Sequence, residues 1–216
     1  MRNAMRSLSH ATSVRSGTNF TCTRGSAFTA GAVASTRNVR VSPGQKNFWG
    51  RAMGWYVMGV VETLDHFPAN HPDREAIVRT LREAADAVAR VQDPLTGLWW
   101  DVLDQPNRAG NYLEASASSM FAYALAKAAR LGYIDARYRE VAERAFGGIL
   151  ANLVKENADG TVSLINVVQV SGLGGNVRRD GSYRDGSFEY YVTEPVVTDD
   201  YKGVGPFMLA ALELNR

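Results

Sequence analysis

The hydrophobic positions that follow Asn47 form two alternating kinds of helical pattern. Three stretches are apolar on nearly all faces, at residues 52–67, 115–131 and about 204–214. Between them lie two stretches that carry apolar side chains on one face only, at residues 73–92 and 135–153. A helix that is apolar all round must be covered on both sides, whereas a one-sided helix lies at the surface. The pattern therefore predicts three inner helices that alternate with two outer helices.

Helix-start signals and loops separate these stretches. Asn70 and Pro72 predict the start of the first outer helix, with Asp73 and Glu75 in its first turn, where acidic residues suit the helix dipole. Asp135 is predicted to cap the second outer helix. Long segments at 93–112 and 157–203 precede the later inner helices, and the second of them contains a predicted short strand within TVSLINVVQV.

The alternation of the two helix types predicts the architecture. It repeats at a spacing of about 65–85 residues, which indicates an inner ring and an outer ring of helices. The predicted fold class is therefore all-α, an (α/α)6-barrel or toroid, in which the loops before the inner helices gather at one end. Five helices make less than half of a six-hairpin barrel, so the chain is predicted to represent roughly the C-terminal half of one.

Residues 1–44 differ in composition from the rest of the chain and are predicted to form a leader separate from the domain at 45–216. The leader contains six arginines but no Asp, Glu or Lys, and it shows no helical or strand period. A disordered tail, a mitochondrial transit peptide and a segment translated out of frame are the open interpretations. The net charge of +2 arises from this leader, so no nucleic-acid partner is predicted.

Cysteine content and hydropathy bear on the compartment. Cys22 is the single cysteine, which excludes a disulfide within the chain and favours a cytoplasmic location. No apolar run is long enough to span a bilayer, and the first residues lack the apolar core of a secretory signal. No membrane association is predicted.

The segment KNFWGRAMGWY, at the entry of the first inner helix, carries the candidate binding chemistry. Trp49 and Trp55 could stack on the apolar faces of sugar rings, and the guanidinium of Arg51 could pair two-pronged with a carboxylate. Gly50 and Gly54 allow a ligand or a neighbouring backbone to come close. Core packing of the tryptophans and a surface ion pair of the arginine are the alternative interpretation. The combination suits an acidic sugar.

Three motifs resemble glycoside hydrolase family 105, the unsaturated rhamnogalacturonyl and glucuronyl hydrolases. They are FWGRAMGWYVM, GNYLEASASSMFAYALAKA and YRDGSFEYYVTEPVVTDDYKGVGPFMLA, and the resemblance covers about residues 47–214. It implies an (α/α)6 barrel that removes a 4,5-unsaturated uronic acid from the non-reducing end of a pectin-derived, rhamnogalacturonan oligosaccharide. In that chemistry an aspartic acid protonates the enol-ether double bond and water adds to C5, with no metal or other cofactor.

The resemblance places Trp49, Arg51 and Trp55 at the substrate pocket, with Arg51 as the partner of the uronate carboxylate. It places the principal catalytic aspartate upstream, in a stretch that resembles His-Ala-Trp-Asp. This chain has no such stretch, and its first aspartate is Asp65. The catalytic residue is therefore unknown, and the general acid is predicted to be absent.

Four further residues are predicted to lie at the rim of the pocket: Glu114, Asp185, Tyr190 and Lys202. Glu114 could equally be a residue of the helix start, and Asp185 a turn residue. The three histidines show no metal-ligand spacing on one helix face, so no metal site is predicted.

Three functional hypotheses follow. The first is a family 105 hydrolase, and the second is a noncatalytic sugar-binding remnant that keeps the aromatic pocket. The third is a helical toroid that serves as a scaffold, because one fold hosts many functions. The abrupt change of composition near residue 44 further predicts a frameshift upstream of the KNFWG codons, with residues 1–44 as its product.

Overall fold

The structure, a computed structural model, describes residues 47–172 and 184–216. The predicted leader at 1–44 lies outside these residues, and so does the interpretation of it as a disordered tail. Most of the glycine-rich stretch at 171–175 also lies outside them. Six helices are described: α1 (Gly50–His66), α2 (Arg74–Arg90), α3 (Ala115–Arg130), α4 (Arg137–Asn152), α5 (Phe188–Val192) and α6 (Tyr201–Leu214). The described strands are β1 (Val154–Glu156), β2 (Val162–Leu164), β3 (Val167–Val168) and β4 (Val196–Val197).

Helix α3 lies at the centre of the described structure and packs against α1, α4 and α6. Every residue from Ala115 to Ala128 is buried, as its pattern of small and apolar residues predicts. Helices α2 and α4 bury one face each, with charged side chains on the other. The predicted alternation of inner and outer helices is therefore present.

The inner helices α1 and α3 run parallel and approach each other closely. A methyl group built on Gly50 would lie 3.1 Å from Ala117 Cβ, and one built on Gly54 would lie 2.7 Å from Met120 Sδ. The glycines of the WGRAMGW segment thus make room for a neighbouring helix. At the opposite ends of the two helices, Lys127 Nζ donates to Asp65 Oδ2 at 2.6 Å.

This close approach predicts a stability difference between two glycine substitutions on the same helix. In Gly54→Ala the new Cβ would meet Met120 Cβ at 2.9 Å, so we expect a loss of about 1–3 kcal/mol from overpacking. Gly59→Ala is the matched control, since nothing lies within 4 Å of its new Cβ. There the higher helix propensity of alanine should stabilise the protein by up to about 1 kcal/mol. Urea unfolding measures both, and equal effects would contradict the described packing.

Ion pairs join the inner helices at the end that lies away from Trp49. Lys127 of α3 donates to Glu62 and Asp65 of α1, and Arg130 of α3 pairs with Glu213 of α6. Burial disfavours the charged form of Lys127, but its hydrogen bonds to the two carboxylates outweigh this and raise its pKa. We call the end of the inner helices that carries these ion pairs the far end, and the end that holds Trp49 the site end.

The structure corrects some of the predicted boundaries. The first outer helix begins at Arg74, with Asp73 as the residue that precedes it. The segment predicted as one strand forms two, β2 and β3, because Asn166 takes a left-handed backbone conformation (φ 59°) between them. The second outer helix begins at Arg137 with Ala136, not Asp135, at the N-cap position, although Asp135 Oδ1 accepts the backbone N–H of Arg137 at 2.9 Å.

The strands form two small antiparallel pairs in the long segment before α6. Strand β1 pairs with β2, and β3 pairs with β4. The second pair lies against the start of α3, where Ala115 N donates to Asn166 O at 2.9 Å. This segment therefore reaches the site end, as the toroid arrangement predicts for loops before inner helices.

Helices α1 and α6, the first and the last of the inner helices, each keep one face exposed. Trp55 of α1 is 47% exposed, and α6 exposes the apolar side chains of Tyr201, Met208 and Leu212. Within residues 47–172 and 184–216 no helix is both long enough and apolar enough to cross a membrane.

Candidate functional site

Three short segments of extended backbone, around Trp49, Asp101 and Tyr112, build the site end. We call these segments the ladder. Its central segment runs through Asp101, whose carbonyl accepts from Gly50 N at 2.7 Å and whose amide donates to Tyr112 O at 2.9 Å. Next to these bonds, Trp49 pairs with Val102 in an antiparallel bridge. The ladder thus joins the entries of α1 and α3 through the segment between α2 and α3.

Trp49 lies at the site end, and its role as a substrate contact stays a prediction. It immediately precedes α1, is partly buried, and stacks on Tyr191 with 5.8 Å between ring centroids and 21° between the planes. Its indole Nε1 donates to Asp101 Oδ1 at 3.1 Å. Ring stacking on one side and a hydrogen bond at the edge together fix the plane of the indole.

Arg51 lies in the first turn of α1 and is only 1% exposed. Its Nε donates to Ser116 Oγ at 2.7 Å, and a terminal nitrogen lies 3.5 Å from Glu114 Oε1. The same guanidinium donates to the backbone carbonyls of Val168 and Gln169. This geometry supports an internal ion pair, and the assignment of Arg51 to the substrate carboxylate stays a prediction.

Glu114 is fully buried and caps the N-terminus of α3. Its Oε2 accepts from Ala117 N at 2.6 Å, and its Oε1 accepts from Val168 N at 3.0 Å. Through Arg51 it also connects α1 to strand β3. The geometry therefore supports the helix-start interpretation of Glu114, and its assignment to the pocket rim stays a prediction.

Asp101 is a second buried carboxyl group beside this ion pair. Its side chain is fully inaccessible, and its Oδ2 has no hydrogen-bond partner among the described residues. Burial, followed by the nearby charge of Glu114, raises the pKa of Asp101 well above the usual range, although the Trp49 hydrogen bond and Arg51 act in the opposite direction. Burial therefore favours the protonated form of Asp101.

Two tyrosines border the same carboxyl group. Burial and then the charge of Asp101 raise the pKa of Tyr112, whose hydroxyl is buried without a partner among the residues described. Burial also raises the pKa of Tyr191, the ring that stacks on Trp49. The surroundings of Asp101 are thus aromatic and poorly hydrated.

The remaining predicted rim residues are held by local contacts. Asp185 Oδ1 accepts from Ser187 N at 2.8 Å, as in a turn. Tyr190 is nearly buried, and its hydroxyl accepts from Gly172 N at 3.0 Å. Lys202 pairs with Asp200 at 2.7 Å at the start of α6. Burial disfavours ionisation of Asp200, but Lys202 and the charge of Arg51 outweigh it and lower its pKa.

The structure brings most of the predicted residues to one end and leaves one apart. Trp49 and Arg51 lie at the start of α1, and Arg51 pairs with Glu114 at the start of α3. The charge of Arg51 also acts on Asp200, the partner of Lys202. Trp55 lies further along α1, on its exposed face. Its role as a substrate contact stays a prediction.

Asp101 was not predicted from the sequence. The available signal is a single acidic residue inside the apolar run LWWDVL at 98–103, where an ionised side chain would be costly to bury. The described part of the chain holds no group of three or more His, Cys, Asp or Glu side chains that could bind a metal.

The sequence model described as Glycosyl Hydrolase Family 88 matches residues 20–216. The chain belongs to this family of glycosyl hydrolases. The match begins inside the segment interpreted as a leader, so the boundary at residue 44 stays a prediction.

Individual relatives support the assignment to the family. A glycoside hydrolase of family 105 from C. acetobutylicum ATCC 824 superposes with a TM-score of 0.74 at 46% identity, over 79% of this chain and 46% of that one. The 24.9 kDa protein in picA locus of Rhizobium radiobacter is 44% identical over 169 residues, which are 76% of this chain and 70% of the relative. The unsaturated rhamnogalacturonyl hydrolase YesR of Bacillus subtilis is 34% identical over 119 residues, 55% of this chain and 31% of the relative.

The family and the fold class predicted from the sequence are thereby confirmed. The resemblance to family 105 and the all-α toroid agree with the solved structures, and the family consists of unsaturated glucuronyl and rhamnogalacturonyl hydrolases. The chain spans less than half the length of the C. acetobutylicum structure.

Proposed function

We propose that the site end of this chain is one wall of the pocket of a hydrolase that removes a terminal 4,5-unsaturated uronic acid from rhamnogalacturonan oligosaccharides derived from pectin. The hydrolase acts in the cytoplasm of a bacterium that imports such oligosaccharides. The observation that carries the proposal is the fixed indole of Trp49 at the end where the long loops gather.

The chemistry of the pocket wall suits a planar, apolar sugar face. A 4,5-unsaturated uronate has a flattened ring, and an indole held in one plane offers it a stacking surface at a small cost in conformational entropy. Hydration adds a proton to C4 and the oxygen of water to C5. The resulting hemiketal then collapses and releases the neighbouring sugar.

A carboxylic acid must deliver the proton to C4, and we propose that this 216-residue chain lacks it. No Asp or Glu precedes Glu62 in the sequence. Asp101 is fully buried, so it cannot reach a substrate. We therefore propose that the pocket wall binds the uronate and that the chain by itself does not turn it over.

Calorimetry with an unsaturated disaccharide from lyase-cleaved rhamnogalacturonan tests the binding. We expect measurable heat with the wild type and at least about tenfold weaker binding with Trp49→Ala, which corresponds to about 1.4 kcal/mol of lost stacking. Val162→Ala is the control, because Val162 is 66% exposed on strand β2 and makes no contact with Trp49 among those described. Equal binding by Trp49→Ala and the wild type would contradict the proposed pocket.

The ultraviolet absorbance of the conjugated enol ether reports turnover in the same samples. We expect no decrease with the purified chain, because protonation is the reaction itself and general acid catalysis is worth about 10²–10⁴-fold. A decrease at the rate of an intact relative would contradict the absence of the acid. A binding signal without turnover is the result expected for a pocket wall that lacks the acid.

A further inference from the structure

We propose that Asp101 is a positioning residue that keeps its own proton and holds the Trp49 indole in the plane required for stacking. The inference deepens the proposed function and rests on it only for the role of Trp49 as a sugar platform. Asp101 touches the indole edge and no solvent, so it acts on a ligand only through Trp49.

The backbone around Asp101 makes the carboxyl group a rigid anchor. Within the ladder the amide of Asp101 donates to Tyr112 O, and its carbonyl accepts from Gly50 N. The adjacent residues Trp100 and Val102 form bridges to Leu113 and Trp49. A side chain on such a segment has little freedom, so the position of Oδ1 fixes the position of the indole nitrogen 3.1 Å away.

The unequal surroundings of the two carboxyl oxygens indicate where the proton lies. Oδ1 accepts from the indole, whereas Oδ2 is buried with no hydrogen-bond partner among the described residues. A charged oxygen in that position would lack both water and a donor, which is the costliest arrangement for a buried carboxylate. A proton on Oδ2 removes the charge and leaves Oδ1 as the acceptor for Trp49.

The other charged groups around Asp101 agree with this assignment. Glu114 acts on it as a like charge, while Arg51 is already engaged by Glu114, Ser116 and two backbone carbonyls. The positive charge of Arg51 is thus shared with Glu114, which has the closer contact to the guanidinium. The remaining neighbours are the rings of Trp49, Tyr112 and Tyr191.

A carboxyl group without charge at Asp101 favours the binding of an anionic ligand at Trp49. An ionised Asp101 at the edge of the indole would repel a uronate carboxylate, since like charges in a poorly hydrated region interact strongly over several ångströms. A protonated Asp101 supplies the same hydrogen bond to Trp49 without that repulsion. The pair Trp49–Asp101 therefore combines a sugar-stacking surface with tolerance for a negative charge.

Two substitutions separate the roles of shape, hydrogen bonding and charge. Asp101→Asn keeps the size and an acceptor for the indole and is always neutral, whereas Asp101→Leu keeps the size but removes the acceptor. Asp104→Asn is the matched control, because Asp104 lies three residues away, is exposed, and accepts from Phe48 N at 3.0 Å.

The first readout is the nuclear magnetic resonance signal of the Trp49 indole N–H in the full chain, assigned by its loss in Trp49→Phe. We expect Asp101→Asn and Asp104→Asn to leave this signal near its wild-type position, and Asp101→Leu to shift it and speed its exchange with solvent. The second readout is the infrared difference spectrum between the wild type and Asp101→Asn. It should contain the carbonyl band of a protonated carboxyl group at neutral pH.

An unchanged indole signal in Asp101→Leu, or a wild type without the protonated band, would overturn the inference. If Asp101→Leu does not fold, the infrared band and the Asp101→Asn signal still decide, because both use folded protein. Titration with the unsaturated disaccharide adds the functional readout. We expect about three- to tenfold weaker binding for Asp101→Leu and recovery in Asp101→Asn. Absence of binding by the wild type would contradict the proposed function and leave the spectroscopic results standing.

Discussion

Replacement of Glu114 by alanine is expected to lower the free energy of unfolding by about 3–5 kcal/mol, the largest loss among the substitutions considered for this chain. The variant leaves the guanidinium of Arg51 buried without its carboxylate. It also removes the cap of α3 at Ala117 N and the acceptor for Val168 N. Several contacts between α1, α3 and β3 are lost together.

Urea unfolding measures this loss against a surface pair of similar chemistry. Glu143→Ala removes the partner of Arg139 on the exposed face of α4, where the two groups lie 2.9 Å apart. There we expect less than about 0.5 kcal/mol, because exposed pairs one helical turn apart contribute little. A loss for Glu114→Ala no larger than that of Glu143→Ala would show that the buried pair does not hold the site end together.

Substitution of Asp101 by asparagine is expected to stabilise the protein progressively as the pH rises. In the unfolded chain Asp101 loses its proton near pH 3.9, whereas the folded chain retains it to a much higher pH. Between these values the folded wild type binds more protons than the unfolded chain, so its stability falls as the pH increases. The asparagine variant has no such proton to retain.

The expected difference between Asp101→Asn and the wild type is small near pH 3.5. It then grows by up to about 1.4 kcal/mol per pH unit toward neutral pH. Unfolding curves in urea at several pH values give this difference directly. Gly59→Ala serves as the control, because it introduces no ionisable group and should show a constant offset. A difference for Asp101→Asn that stays level from pH 4 to 7 would contradict the raised pKa of Asp101.

The inner helices could be predicted from the sequence because their signal is local. Residues 115–131 were predicted as an all-apolar helix, and α3 occupies Ala115–Arg130. Helix α5 was missed, since its five residues are too short to show a helical period. The interruption between β2 and β3 was also missed, because a left-handed asparagine is not visible as a break in hydrophobicity.

The partners within the site could not be predicted in the same way, because they are distant in sequence. Arg51 and Glu114 are 63 residues apart, and Arg51 reaches carbonyls near Val168 that are more than a hundred residues away. The residue types can be read from the sequence. Only the tertiary arrangement shows that Arg51 donates its hydrogen bonds to acceptors within the protein. Asp101 illustrates the same limit, because its burial depends on Trp49 and on the ladder around it.

The unequal lengths of the connections at the two ends offer a practical route for attaching labels. At the far end, residues 67–73 and 131–136 are the short links between inner and outer helices, whereas the long segments lie at the site end. A helix of 17 residues such as α1 is about 25 Å long at 1.5 Å per residue. A fluorophore or a surface tether placed in either short link would stand about that far from Trp49. Immobilised protein would then present its loop-bearing face to dissolved oligosaccharides.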